Sequence, residues 1–454
     1  MKKISLILSL MIVLISCGKD DGPGYQEPYT PDPTDDGPIV APLTNEELMD
    51  LVQERTFRYF WDFAESNSGA ARERYHTDNP SLNQNVVTSG GSGFGLMAIL
   101  VGIERDYITR AEGVERLATI LNFFENADRF HGAWSHWLEG SNGNVIPFSS
   151  QDDGGDIVET AFLVQGLICV KEYFKNGSTE EQALATQADT LWKDVEWDWY
   201  TNGQNKLIWH WSPNNGFGIN LELRGYNETL ITFILGAASP DYPIPAEVYH
   251  QGWANNGAIV TAATQYNIPL VLDHAGSGTG PLFWAHYSFL GLKPNGLSDQ
   301  YANYWTLNVN HTMINYEHCV DNPHNYTDYG PDCWGLTASY TRNPDGTVGY
   351  RAHEPEDDTG VISPTAAVSS IPYTPTESLA AMQYFYAQGD MLLGPAGFYD
   401  AFSPQFNWVT KRYLAIDQGP QIIMIENHRT GLLWNLFMQN EDVQNGLDAL
   451  GFSY

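Results

Sequence analysis

Positive charge is what this sequence has least of. Lysine and arginine number 22 against 55 aspartates and glutamates, a net charge of −33. Nucleic-acid binding needs a basic footprint, so a nucleic-acid partner is disfavoured. Acidic polysaccharides are disfavoured for the same reason, which leaves a neutral ligand. Cysteine is scarce too, at four. Cys169 falls in an apolar run and reads as an inert hydrophobe, whereas Cys319 and Cys333 are a pair that an oxidising compartment could join. Long apolar runs are missing: Ile4 to Ile15 is too short for a stable membrane span. There is no His-Glu-x-x-His, no paired Cys-x-x-Cys, no phosphate-loop lysine and no Gly-x-Ser-x-Gly elbow. Zinc, nucleotide and serine-nucleophile chemistry therefore lack support, and no cofactor or metal is expected. Gly91-Ser92-Gly93-Phe94-Gly95 has no clear strand before it and no basic partner, so it reads as close packing before a helix.

What is present begins with a leader. Met1-Lys2-Lys3 and the apolar run after it fit a signal peptide over residues 1–16. Leu14-Ile15-Ser16-Cys17 resembles the lipobox of bacterial lipoproteins, which implies cleavage before Cys17 and lipidation of its thiol. Residues 17–42 are Pro, Gly, Asp and Thr with few apolar side chains, and read as a disordered tether. The expected location is the outer membrane of a Gram-negative bacterium, facing periplasm or cell surface, held only by the lipid. Residues 43–454 show no comparable break. That exceeds the usual single-core limit of about 250–300 residues, but closed barrels run longer as one unit. One monomeric domain is expected.

Helical signals recur along that domain. Capping boxes stand at Thr44 to Glu47, Thr109 to Glu112 and Ser178 to Glu181. Apolar helices are expected over 94–108, 157–170 and 226–236, with further helical stretches at 281–290, 313–319, 375–387, 419–424, 431–438 and 441–450. Apolar helices alternate with amphipathic ones, as a double ring requires: inner helices buried all round, outer helices wet on one face. Long loops rich in Trp, His, Asn and Gly, at 131–149 and 207–224, are the functional candidates. The first is expected to hold a short hairpin near Ile146-Pro147-Phe148. Trp, Tyr and Phe number 14, 25 and 20. Most must be core, but Trp and Tyr faces also stack on sugar rings.

Carboxylates carry the chemistry that remains. Gln151 to Thr160 opens the most apolar helix. If the helical phase extends back through its glycines, Asp152, Asp156 and Glu159 share one stripe. Acids at the mouth of a buried helix are costly unless used, although one acid as an N-cap is the plain alternative. Glu228, in Arg224-Gly225-Tyr226-Asn227-Glu228-Thr229, and Asp417, in Tyr413 to Pro420, are the other two candidates beside aromatics. Their plain alternatives are a first-turn acid and an N-cap. Glycosidic hydrolysis needs two such groups: one protonated near the leaving oxygen, one ionised to activate water or attack carbon.

Several segments, in this order, resemble the glycoamylase-like family, whose members in glycoside hydrolase family 144 act on β-1,2-glucans. They are Thr88 to Gly95, His131-Gly132-Ala133-Trp134-Ser135-His136-Trp137, Gly154 to Thr160 and Gly225 to Glu228. Val361 to Ala367, Gly397-Phe398-Tyr399-Asp400 and Ile416 to Pro420 follow. The resemblance runs from about Thr44 to the C-terminus and implies an all-α (α/α)6 barrel. It also implies that Glu228 is the general acid and Asp417 the base of an inverting attack by water. Asp152, Asp156 and Glu159 match acids important for activity, which would bind sugar hydroxyls and tune Glu228. Residue type and placement add Trp134, His136, Tyr226, Asn227 and His286 as substrate-binding candidates. Two segments depart from the family pattern: Ala133-Trp134, and Pro281-Leu282-Phe283-Trp284-Ala285-His286. The expected activity is hydrolysis of a neutral glucan, most naturally β-1,2-linked, releasing sophorose or cleaving internally. A glucosidase of another linkage and a non-catalytic glycan-binding lipoprotein are the alternatives.

Overall fold

The computed structural model describes residues 43–273 and 278–454. The leader, Cys17 and the tether expected over residues 1–42 lie outside the described residues.

In chain order the first helices are α1 (Asn45–Trp61), α2 (Ser89–Glu104), α3 (Arg110–Asn126), α4 (Ile157–Phe174), α5 (Thr179–Lys193) and α6 (Leu230–Ala238). The later ones are α7 (Tyr304–Asp321), α8 (Pro364–Val368), α9 (Pro375–Ala387), α10 (Ala415–Arg429), α11 (Leu432–Met438) and α12 (Glu441–Leu450). Thr44, Thr109 and Ser178 cap α1, α3 and α5 through complete capping boxes. Each such cap is worth about 1 kcal/mol.

The alternation of burial sorts these helices into two layers. α2, α6 and α8 are buried nearly all round, and so are α4 up to Val170 and the start of α10. α1, α3, α5 and α9 bury one face. The buried helices follow one another in space: α10 packs on α2, α2 on α4, and α4 on α6. Two short 3-10 turns, Leu282–Ala285 and Tyr287–Phe289, continue the series, the second touching α6. His286 Nε2 then meets Ser370 Oγ at 2.9 Å just past α8, and α8 packs back on α10. Outside them, α1 lies on α2 and α10, α3 on α2, α5 on α4, α9 on α8, and α12 on α6. One apolar core runs from Leu48 to Phe452.

Several expected boundaries shift. The glycines at 90–93 do not form a turn before a helix; they are the first turns of α2 itself. Size explains this. A Cβ on Gly93 would lie 2.2 Å from the carbonyl oxygen of Phe162, and one on Gly166 would lie 2.3 Å from that of Gly93. The α2 and α4 backbones therefore touch where any side chain would hold them apart. α10 begins at Ala415 rather than at residue 419, and Gly-Pro lies inside it, with Gly419 seated against Phe94. α6 begins at Leu230 rather than at residue 226, and α7 begins at Tyr304, nine residues earlier than expected, capped by Asn303. The stretch at 281–290 is 3-10 rather than α-helical.

Short ladders fasten the loops. The expected hairpin exists as Trp137–Glu139 with Val145–Ile146, joined by Val86–Thr88. A hairpin of Ala338–Arg342 with Val348–Ala352 had no sequence forecast. Cys169, Cys319 and Cys333 are buried free thiols, so the pairing considered for the last two is not formed. Among the described residues no helix is long and apolar enough to cross a membrane.

Candidate active site

The acids at the start of α4 do not share a helical stripe. Gly155–Asp156 forms a two-residue ladder with His210–Trp211, and the helix starts only at Ile157. Asp156 is the N-cap: its Oδ1 accepts from the N–H groups of Val158 and Glu159 at 2.9 and 3.0 Å. Asp152 sits before the ladder, in a turn bridged to Ser149, and its Oδ1 lies 3.1 Å from His210 Nε2. The plain N-cap reading thus holds for Asp156, and β pairing rather than helical phase gathers the three.

His136 is their common neighbour. Its Nδ1 is 3.1 Å from Asp156 Oδ2 and its Nε2 is 4.0 Å from Glu159 Oε1. Burial alone would push this imidazole down, but the Glu159 charge and the Asp156 hydrogen bond outweigh it and lift it to about 10, with Asp152 adding to the effect. An imidazolium therefore stands in this acidic wall. Glu159 is further held by the Gly90 N–H at 3.0 Å and the Thr88 hydroxyl at 3.3 Å, both at the start of α2. Burial still raises its carboxyl, opposed chiefly by His136. Half-buried Phe148 stacks on His136 at 4.4 Å, with Trp137 edge-on to Phe148 at 4.8 Å, so aromatic faces edge the wall.

Glu228 lies in the turn before α6, not in the helix, so it is not a first-turn acid satisfying the dipole. Asn227 shapes that turn: its Oδ1 accepts from Thr229 N–H and Oγ at 3.0 and 2.6 Å. Ser288 Oγ donates to the Glu228 carbonyl at 2.5 Å and accepts from Ile231 N–H at 3.1 Å. The Glu228 side chain is pushed up to about 7, first by burial, then by the charges of Glu159 and Asp156. Glu228 and the acidic wall are thereby electrostatic neighbours.

Asp417 occupies the first turn of α10, past its cap position. Its residue is 1 % exposed, and neither carboxyl oxygen has an N–H or O–H donor from the protein. Its partner is the carboxyl of Asp400. Asp400 Oδ2 accepts from the Tyr340 N–H at 2.7 Å. Burial and then the Asp400 charge push Asp417 well above the carboxylate range, and Asp400 itself rises to about 6, chiefly by burial. Two buried carboxyls that feel each other's charge titrate as a pair. Tyr350, whose hydroxyl is buried and unpartnered, senses both charges.

The remaining sequence candidates fare differently. Trp134 is fully buried, its indole N–H bonded to the Phe124 carbonyl at 2.9 Å and its ring covered by Arg129 at 4.2 Å. It has no face for a sugar, and its assignment to a subsite is corrected to core. Tyr226 bonds His311 Nδ1 at 3.0 Å and Asn308 Oδ1 at 3.2 Å. His286, bonded to Ser370, is pushed down to about 3 by burial and stays neutral. With Asn227, these side chains are engaged in holding the turns beside Glu228. Sequence reasoning did not single out Trp137, Phe148, Tyr287, Tyr350 or Asp400. Asp400, Trp137 and Phe148 had a usable signal, Asp400 and Trp137 as members of family-like segments and Phe148 as an aromatic in the loop at 131–149; Tyr287 and Tyr350 had none. Among the described residues no three His, Cys, Asp or Glu side chains are grouped to hold a metal ion.

The glycoamylase family model, described as "Putative glucoamylase", matches residues 220–441. The chain is 43 % identical over 431 residues to the exo β-1,2-glucooligosaccharide sophorohydrolase (non-reducing end) of Parabacteroides distasonis, covering 90 % of this chain. It spans 58 % of the length of that curated relative. The endo-β-1,2-glucanase of Chitinophaga pinensis, solved with sophorotriose and glucose, superposes with a TM-score of 0.88 at 56 % identity, covering 91 % of this chain and 99 % of that one. The Talaromyces funiculosus endo-β-1,2-glucanase, solved with sophorose, shares the fold at 11 % identity and TM-score 0.62, over 89 % of this chain and 92 % of that one. At 56 % identity over nearly the whole of a solved relative, the chain belongs to the glycoamylase-like family.

Proposed function

We propose that the chain is a glycoside hydrolase that cleaves a neutral β-1,2-glucan with inversion. Glu228 is the general acid and Asp417 the base. One observation carries the reading: Glu228 and Asp417 are both buried carboxyls, Glu228 beside the acids of α4 and Asp417 beside Asp400 with no N–H or O–H donor of the protein on it. Glu228, lifted to about 7 beside two acids, is protonated in about half of the molecules at neutral pH, and that fraction can donate to the leaving oxygen. Asp417 has no protein donor and one acidic neighbour. A water or sugar hydroxyl that donates to Asp417 favours its charged form, and the pair's proton then passes to Asp400. Asp417 is thereby ionised when there is a proton to accept. Asp152, Asp156 and Glu159 hold sugar hydroxyls, Glu159 and Asp156 raise the proton affinity of Glu228, and His136 prevents the wall from repelling itself apart.

The same reading closes the helices into an (α/α)6 barrel of six inner and six outer members, supported by the order of inner contacts described above. It treats the protein as a monomer anchored through lipidated Cys17 at the outer membrane, supported by the lipobox-like Leu14 to Cys17.

Incubation with β-1,2-glucan, following reducing ends and the anomer formed, tests the activity. Glu228→Gln is expected to lose about 10²–10⁴-fold in rate. No release by the wild type, or undiminished release by Glu228→Gln, overturns the reading.

A further inference from the structure

Glu228, Glu159 and Asp417 stand on three different elements, and one side chain packs against the supports of all three. Tyr287 opens the 3-10 turn Tyr287–Phe289. Its ring lies 5.5 Å from Phe94 and 5.6 Å from Phe162. Phe162 follows Glu159 by one helical turn on α4. Phe94 follows Gly90, whose N–H holds Glu159, by one turn on α2. Gly419, two residues after Asp417, rests on Phe94. The residue after Tyr287 is Ser288, which binds the Glu228 carbonyl. The Tyr287 carbonyl is fixed by Gln165 Nε2 at 3.0 Å.

The phenol is therefore rigidly placed, within electrostatic reach of Asp417, Glu159 and Glu228. It is buried, and no protein group hydrogen-bonds it. Two equally enclosed tyrosines are satisfied, Tyr226 by Asn308 and His311, and Tyr373 by the Ala285 carbonyl at 2.9 Å, whereas Tyr350, beside Asp417 and Asp400, shares the unpaired state of Tyr287. A buried hydroxyl left unpaired works against folding, so its position calls for a partner. The chemistry of the surroundings says which kind. Ionised carboxylates only accept hydrogen bonds, and a glucosyl hydroxyl that donates to one still presents lone pairs. Burial and the acids keep the phenol protonated, so it is a donor on a wall made mostly of acceptors.

We propose that Tyr287 is a substrate-contacting residue whose phenol donates a hydrogen bond to a hydroxyl of the glucosyl unit bound between Glu228 and Asp417. This rests on the reading of that pair as acid and base. Tyr287→Phe removes one oxygen and leaves the ring packing in place. The expected result is a kcat/KM on β-1,2-glucan lowered about tenfold or more, with Tm unchanged or raised. In the Glu228→Gln background, Tyr287→Phe is also expected to weaken sophorotriose binding measured by calorimetry. An active wild type with kcat/KM and binding unmoved by Tyr287→Phe overturns the inference and leaves the acid and base standing. A fall in kcat/KM that comes with a lowered Tm and unchanged binding assigns the residue to packing and also overturns it. A wild type inert on β-1,2-glucan, or an undiminished Glu228→Gln, removes the underlying reading and the inference with it.

Discussion

The starts of α4 and α10 both carry buried acids, and they treat them in opposite ways. At α4, Asp156 receives two backbone N–H groups and an imidazolium, and Glu159 receives a backbone N–H and a hydroxyl. At α10, Asp417 receives nothing from the protein but the carboxyl of Asp400. A buried charge with its partners supplied is a fixed part of the structure; one without them changes state readily. On the proposed mechanism, the difference separates a wall that holds the field on Glu228 from a group that exchanges a proton.

Substitutions at the two helix starts break or sharpen that contrast. Asp417→Asn is expected to cost about 10²–10⁴-fold in kcat while leaving Tm unchanged or higher, because no hydrogen bond from the protein is lost. His136→Ala is expected to cost roughly 3–5 kcal/mol of stability, since it leaves Asp156 and Glu159 buried without their cation. Urea unfolding of both variants decides the matter. Equal destabilisation by the two would show that the helix starts do not differ as described.

Glu228 sits between these extremes, and pH exposes it. Its carboxyl is raised from 4.5 to about 7 on folding. The folded chain therefore holds a proton that the unfolded chain releases. The stabilisation is complete below 4.5 and is lost as pH rises through about 7, a swing of roughly 3 kcal/mol. Glu228→Gln should flatten that part of the Tm-versus-pH curve. The alkaline limb of kcat/KM should fall near the same pH, because the acid loses its proton there. The smallest effect is expected from Asp400→Asn. Losing the neighbouring charge lowers the Asp417 pKa, which moves the acidic limb of kcat/KM to lower pH with roughly tenfold loss of rate at neutrality. An unmoved acidic limb would mean that the two carboxyls do not titrate as a pair.

Local rules made the outer layer readable from sequence. Three capping boxes placed the starts of α1, α3 and α5 to the residue. The inner layer hid its starts. Gly90 to Gly93 and Gly419-Pro420 carry turn chemistry, yet tertiary contact holds both in helices, because at Gly90, Gly91, Gly93 and Gly419 a Cβ would meet a neighbour. The acids Asp152, Asp156, Glu159, Glu228 and Asp417 stand out locally by their burial among apolar residues. Their grouping does not, since it depends on a ladder between 155–156 and 210–211 and on inner-helix contacts far apart in sequence. Trp134 shows the opposite failure: an aromatic in a functional segment looks the same whether it faces sugar or core.

The backbone contact between Gly93 and the α4 segment at 162–166 bears on how such a protein can diversify. One turn from that contact, the Gly90 N–H grips Glu159, so the spacing of the acidic wall is inherited from main chain touching main chain. No rotamer change can adjust it, and no substitution at Gly93 can spare it. On the proposed function, changes of linkage or chain length are expected in loops away from this seam, such as those at 131–149 and 207–224. A library randomised across Gly90, Gly93 and Gly166 should return almost only glycine, while one across Trp137 and Phe148 should return altered substrate preference.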